Sequence, residues 1–282
     1  DRYLSELDKF SSFVNEVHSV GGLHPEWGVD HYCSLFRRIK KEHPHISIKA
    51  LTAVEIKHLS RISNLSIRET LQRLHEAGLT SLPGGGAEIL DDDVRQIICN
   101  GKESSQEYLD IHETAHSIGL PSNCTMLFGT IETAKQRVEH MIQLRDLAKR
   151  TNGFQCFVPY PFLPDSTRLP MAQLSTGQEI LRVIAVSRIM LNSIPHIKAY
   201  RMNIGDSMAE LALQYGADDI DGTVKQESIM HLAGSDAPLD YGVNQLAKLV
   251  TRSGNIPIKR NTTYSEFEQF VPAKQPRRLP VI

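Results

Sequence analysis

The chain has 282 residues, enough for one large α/β domain or two small ones and ample to bury an apolar core. Apolar residues make up 40 % and charged residues 23 %, and a formal net charge of -2 leaves no basic excess for displacing counterions from nucleic acid. No run approaches the ~20 apolar residues of a membrane helix and no signal peptide opens the chain, so a cytoplasmic protein is expected.

In chain order, residues 15–20 read as a strand stopped by Gly21-Gly22, and 30–42 as a helix with Tyr32, Leu35, Phe36 and Ile39 on its apolar face. Strand 46–51 precedes helices 55–62 and 66–77, the second closed by Gly78. A brief strand, 79–83, runs into Gly84-Gly85-Gly86, and helices fit 91–98 and 104–118. Strand 122–128, helix 133–150, strand 154–158, helix 176–192, strand 196–202 and helix 207–215 follow, with a last helix at 243–251. Continuous apolar strands alternating with helices imply parallel βαβ units covered on both faces. The expected fold is a partial (β/α) TIM-like barrel over residues 1–264, with 265–282 as a tail whose basic stretch, 274–278, reads as a solvated end.

In such barrels the chemistry sits where strands end. Polar and glycine residues gather there, at 21–24, 52–55, 84–88, 123–132, Tyr160, 201–203 and 219–223. The loop Gly84-Gly85-Gly86-Ala87-Glu88-Ile89 fails the dinucleotide fingerprint, because Ile89 stands at the third glycine. Asp91, Asp92 and Asp93 open the next helix and oppose phosphate, so Glu88 suits an ammonium or ribose hydroxyls instead; the bland reading is a tight turn. Gly21-Gly22-Leu23-His24-Pro25 would let a ligand approach the backbone, though alone it says little more than a turn.

His112-Glu113-Thr114-Ala115-His116 matches the H-E-x-x-H zinc-protease pattern, with both histidines on one helix face and Glu113 as base. Ser122 occupies the place of the third histidine, with Glu132 or Glu139 as stand-ins, and the β/α alternation is foreign to that class, so coincidence is favoured. Asp219-Ile220-Asp221-Gly222 lacks the remaining calcium-loop ligands, and no Gly-x-Ser-x-Gly elbow exists.

Several segments together resemble the aminofutalosine synthases, radical S-adenosylmethionine (SAM) enzymes of menaquinone biosynthesis. They include Val17-His18-Ser19-Val20-Gly21-Gly22-Leu23-His24-Pro25, Lys49-Ala50-Leu51-Thr52-Ala53-Val54-Glu55-Ile56, Ser81-Leu82-Pro83-Gly84-Gly85-Gly86-Ala87-Glu88-Ile89 and Pro195-His196-Ile197-Lys198-Ala199-Tyr200. The resemblance implies a radical SAM barrel in which Gly21 and Gly22 meet the methionine part and Glu88 the ribose or amino group. Thr125, Gly129 and Glu132 would shape the adenine pocket, with Thr125 in place of that pattern's first glycine and Thr130 where relatives carry histidine.

The same resemblance implies reductive cleavage of SAM by a [4Fe-4S] cluster, with an electron donor such as flavodoxin or ferredoxin. The 5′-deoxyadenosyl radical then adds to 3-[(1-carboxyvinyl)oxy]benzoate to form 6-amino-6-deoxyfutalosine. A dicarboxylate needs cations and donors, for which His24, Lys49, Arg201 and Thr223 are the candidates. The chief departure is the cluster motif C-x-x-x-C-x-x-C. Cys33, Cys99, Cys124 and Cys156 offer no such spacing, nor a disulfide-like or zinc-like one, and a preceding segment with the first βα unit is expected to carry the ligands. The alternatives are the related cyclase or deazaflavin-cofactor synthase, a zinc peptidase on His112, Glu113 and His116, and a cluster-free SAM-binding protein.

Overall fold

The computed structural model describes residues 2–163, 169–227 and 229–271; stretch 274–278 lies outside them. Helix α1 (Arg2–Asp8) leads into β1 (Glu16–Ser19), α2 (Val29–Glu42), β2 (Ser47–Ala50), α3 (Ala53–Ile62), α4 (Ile67–Glu76) and β3 (Leu79–Ser81). Two helices, α5 (Asp92–Ile98) and α6 (Ser105–Ser117), then separate β3 from β4 (Ser122–Phe128). After α7 (Ala134–Thr151) come β5 (Phe154–Pro161), α8 (Gly177–Met190), β6 (His196–Ala199), α9 (Arg201–Ile204), α10 (Asp206–Ala212) and β7 (Asp219–Ile220). The chain closes with α11 (Ile229–Leu232), α12 (Val243–Arg252) and the hairpin β8 (Ile258–Arg260) and β9 (Phe267–Gln269).

Local chemistry starts many of the helices. Thr52 with Glu55, Ser66 with Glu69, Ser104 with Glu107 and Thr133 with Gln136 form capping boxes, each satisfying two orphan amides for about 1 kcal/mol. The strands run parallel in the orders β1-β2-β3 and β4-β5-β6-β7, and a parallel bridge between Leu82 and Ser122 joins the two sheets. Among the described residues β7 does not pair with β1, so the (β/α) barrel is partial rather than closed. Phe36, Ile39, Ile56, Leu71, Tyr108, Leu144 and Ile184 on the helices pack against Ile48, Met126, Phe128 and Ile197 outside the sheet.

Three features differ from the sequence reading. The strand expected over 196–202 stops at Ala199, because the Arg201 amide donates to Asp221 Oδ1 at 2.6 Å and opens α9. The two-residue β7 is too short to carry a periodic signal. Residues 267–269, read as tail, form β9. Its hairpin is tied to β7, where Arg260 donates to both carboxylate oxygens of Asp219 at 2.8 and 3.0 Å and the Tyr264 hydroxyl adds 2.7 Å.

Candidate active site at the strand ends and in the lumen

The rim is built first by backbone. The Gly21 amide donates to Glu55 Oε1 at 3.0 Å, and a Cβ added at Gly22 would meet nothing within 4 Å, leaving open backbone beyond β1. Gly84, with φ +86°, passes so close to β4 that a Cβ would stand 2.3 Å from the Asn123 carbonyl oxygen. Its own carbonyl accepts from Tyr108 at 2.7 Å and from Thr125 at 2.9 Å. Thr125 thus locks β4 to the glycine loop, a task that glycine at this position lacks the atoms to perform.

Glu88 adopts φ 44°, and its carboxylate pairs with Lys102 at 2.7 Å at a partly open edge. Beneath it the buried Arg95 guanidinium donates to the carbonyls of Gly86 (3.2 Å), Ala87, Ile89 (3.4 Å) and Glu103 (3.1 and 2.5 Å). Five donors on one cation suit the guanidinium fork, and they fix the loop's height. The Glu103 carboxyl is fully buried with neither oxygen hydrogen-bonded, and desolvation pushes it up to about 7.

At the end of β4, Glu132 accepts from the amides of Gly129 (2.7 Å) and Thr130 (2.9 Å), from the Thr130 hydroxyl (2.6 Å) and from Arg137 (2.6 Å). Its oxygens are spent inside the turn, so Glu132 shapes the rim without reaching into the pocket.

Inside the barrel, His18 and Lys49 are register partners on β1 and β2, and Lys49 Nζ lies 3.4 Å from Glu16 Oε2. Lys198 on β6 pairs with Asp219 at 3.0 Å. His18 is open to water, yet desolvation is the largest influence on its titration and lowers it; an open barrel's inner wall produces both. Higher in the lumen, Tyr160 and Tyr200 meet edge-to-face at 5.4 Å, and Tyr200 donates to Glu227 at 3.2 Å.

Two sequence candidates fall elsewhere. Arg201 is buried, and its guanidinium meets Asp206 at 3.2 Å, the Pro238 carbonyl at 3.1 Å and the Tyr241 ring. With Asp221 at 3.4 Å from Nε, these partners surround the guanidinium. His24 stacks on Trp27 with ring centroids 4.0 Å apart. Thr223 is half-buried just past β7, and Lys49 pairs with Glu16 on the inner side of β1 and β2.

The zinc reading of His112, Glu113 and His116 fails on geometry. Ser122 Oγ sits 2.8 Å from both His112 Nδ1 and His116 Nε2, so the imidazoles converge on a hydroxyl in the core. Glu113 turns outward to Arg150. Burial holds His116 down to about 4 and His112 well below its usual value.

Nor do the cysteines fit an iron–sulfur cluster. Cys33 donates to the Arg73 carbonyl, Cys99 ends α5, and buried Cys124 and Cys156 sit on adjacent strands with their thiols pushed up by desolvation. A cluster takes several converging thiolates at once, which these separated positions do not supply. The adenosyl ligand fares better, since open backbone at Gly22 and a partly exposed carboxylate at Glu88 share one rim.

The family model of the Radical SAM superfamily matches residues 2–144, and that of the CofH/MqnC C-terminal region matches residues 151–273. The chain belongs to the radical SAM superfamily and is an enzyme of that class. Aminodeoxyfutalosine synthase of Thermus thermophilus is 40 % identical over 92 % of this chain and 71 % of its own. Cyclic dehypoxanthine futalosine synthase of Streptomyces coelicolor is 39 % identical over 94 % and 65 %. A 5-amino-6-(D-ribitylamino)uracil–L-tyrosine 4-hydroxyphenyl transferase of Methanosarcina barkeri is 35 % identical over 94 % and 72 %. The fold matches the crystal structures of HydG, a maturase of the [FeFe]-hydrogenase (TM-score 0.67, 13 % identity, 93 % of this chain and 57 % of that one), and of methylornithine synthase (0.60, 18 %, 89 % and 71 %). The superfamily's cofactors are SAM and an iron–sulfur cluster, and no described helix is long and apolar enough to cross a membrane.

Proposed function

We propose that this enzyme joins the 5′-deoxyadenosyl group of SAM to 3-[(1-carboxyvinyl)oxy]benzoate, releasing methionine and, after rearrangement, one carboxyl carbon, and so makes 6-amino-6-deoxyfutalosine for menaquinone in the cytoplasm. The observation carrying this reading is the 40 % identity to the Thermus thermophilus synthase across 92 % of the chain. In this reading SAM with a [4Fe-4S] cluster, whose ligands are not among this chain's four cysteines, would supply the adenosyl radical, and flavodoxin or ferredoxin would supply the electron.

The chain's own residues then bind and orient. Open backbone at Gly21 and Gly22 receives the methionine part, and Glu88, held by Lys102, accepts hydrogen bonds from the ammonium or ribose hydroxyls. The Gly129–Thr130 turn, fixed by Glu132, borders the adenine, and Thr125 sets the distance between β4 and the glycine loop. Lys49 faces the lumen where a substrate carboxylate would lie.

Anaerobically reconstituted protein given SAM, dithionite and 3-[(1-carboxyvinyl)oxy]benzoate should yield aminofutalosine by mass spectrometry. The 39 % identity to the cyclase makes dehypoxanthine futalosine the rival substrate. Cyclisation of that compound, or a tyrosine-derived adduct with the ribitylaminouracil, in place of aminofutalosine would replace this reading with the corresponding sister activity.

A further inference from the structure

In the deep lumen Lys49 pairs with Glu16, while Lys198 and Arg260 share Asp219, and Asp221 also lies within the field of Lys198. Glu227 faces His18 from the layer above, where its oxygens already accept from the Tyr200 hydroxyl and from the amides of Ile229 (2.7 Å) and Met230 (3.0 Å). His18 stands among these groups, facing Glu16, Lys49, Lys198 and Glu227, and is water-accessible. Among the described residues its ring has no hydrogen-bond partner, whereas the other lumen ions are paired. A neutral imidazole carries one N–H, which suits an anion arriving beside two ammonium groups.

The layer above is aromatic. Tyr200 follows Lys198 by two residues, so it stands about 6–7 Å higher along the strand direction, with Tyr160 against it. A flat ring whose carboxylate reached the lysines would lie along these tyrosines.

We propose that His18, Lys49 and Lys198 form the carboxylate end of the substrate pocket, with His18 donating a hydrogen bond to an aryl carboxylate whose ring rests on Tyr160 and Tyr200. The inference rests on the functional reading above and assigns its substrate-binding end. His18 is a specificity residue in this scheme, Lys198 remains anchored to Asp219, and Lys49 to Glu16.

The test is calorimetric binding of 3-[(1-carboxyvinyl)oxy]benzoate to the full chain without reductant, with S-adenosylhomocysteine as the separate probe of the rim. His18→Leu and Lys49→Met should each weaken the aryl ligand about tenfold, the worth of one hydrogen bond to a charged group. His18→Gln, which keeps a donor, should restore most of the affinity, and S-adenosylhomocysteine should bind all variants equally. In the parent protein, the His18 titration midpoint followed by NMR should rise when the dicarboxylate is added, because an anion favours imidazolium. Undiminished aryl binding in His18→Leu, or a midpoint that does not move, overturns the assignment. Binding of S-adenosylhomocysteine alone by the parent also overturns it while leaving the SAM-site reading of the rim intact; if neither probe binds, both of these fall.

Discussion

Arg260 grips Asp219 through two hydrogen bonds, 2.8 Å from Nε and 3.0 Å from Nη2, and so fastens the C-terminal hairpin to the start of β7. Lys198 and Tyr264 approach the same carboxylate, and their combined field holds Asp219 far below the usual carboxylate range despite its burial. Asp219→Asn would leave two buried cations facing a neutral amide and should cost about 3–5 kcal/mol in urea unfolding. A depressed carboxylate contributes stability above its unfolded value of 3.8 and loses it as pH falls through the still lower folded value. The deficit of the variant should therefore be constant from pH 5 to 8. A loss under 1 kcal/mol would mean that the hairpin is not anchored here.

The buried imidazoles give a pH dependence of their own. The Leu90 amide donates to His140 Nδ1 at 3.0 Å, and Nε2 donates to the Thr125 carbonyl at 3.0 Å, which requires the neutral ring. Desolvation lowers His140 to about 3 and His116 to about 4, against 6.5 when unfolded. Between pH 6.5 and 4 the unfolded chain binds more protons, so stability should fall with pH by up to roughly 1.4 kcal/mol per unit per ring. Unfolding free energies at pH 7 and 5 check this, and equal values would refute it.

Two glycines at the rim should respond in opposite ways. Gly84→Ala puts a methyl 2.3 Å from the Asn123 carbonyl oxygen at a positive φ, and should destabilise the fold by roughly 2 kcal/mol or more. Gly22→Ala meets no protein atom within 4 Å, so its melting should match the parent while S-adenosylhomocysteine binding weakens. Thermal melts paired with calorimetry separate the two effects. Unchanged binding in Gly22→Ala would remove the methionine contact from β1.

Because none of the four cysteines stands in cluster geometry, replacing any one by alanine should leave the iron content of anaerobically reconstituted protein unchanged. Loss of iron on substituting Cys99, the one that is not fully buried, would contradict this directly. Added zinc or chelator should likewise leave the melting temperature unmoved, since Ser122 already bridges His112 and His116.

Most of the α/β order was legible in the residues, because element type follows from short-range causes. Apolar periodicity, S/T-x-x-E/Q boxes and glycine stops act over a few positions, so α2, α4, α6, α7 and β4 lie within a residue or two of their expected places. The glycine rim was legible for the same reason, as was the histidine pair of α6, though not its meaning. What the sequence could not decide was which distant side chains share an environment. Lys102 meets Glu88 and Arg95 supports the glycine loop only once α5 folds back on it. Arg201 looks like a free cation in the sequence, but the loop after β7 encloses it. His18 and Lys198 face one lumen because parallel register and barrel curvature turn β1 and β6 toward each other. Local preferences depend on neighbours in the chain, whereas charge pairing and desolvation depend on neighbours in space, and those exist only in the folded protein.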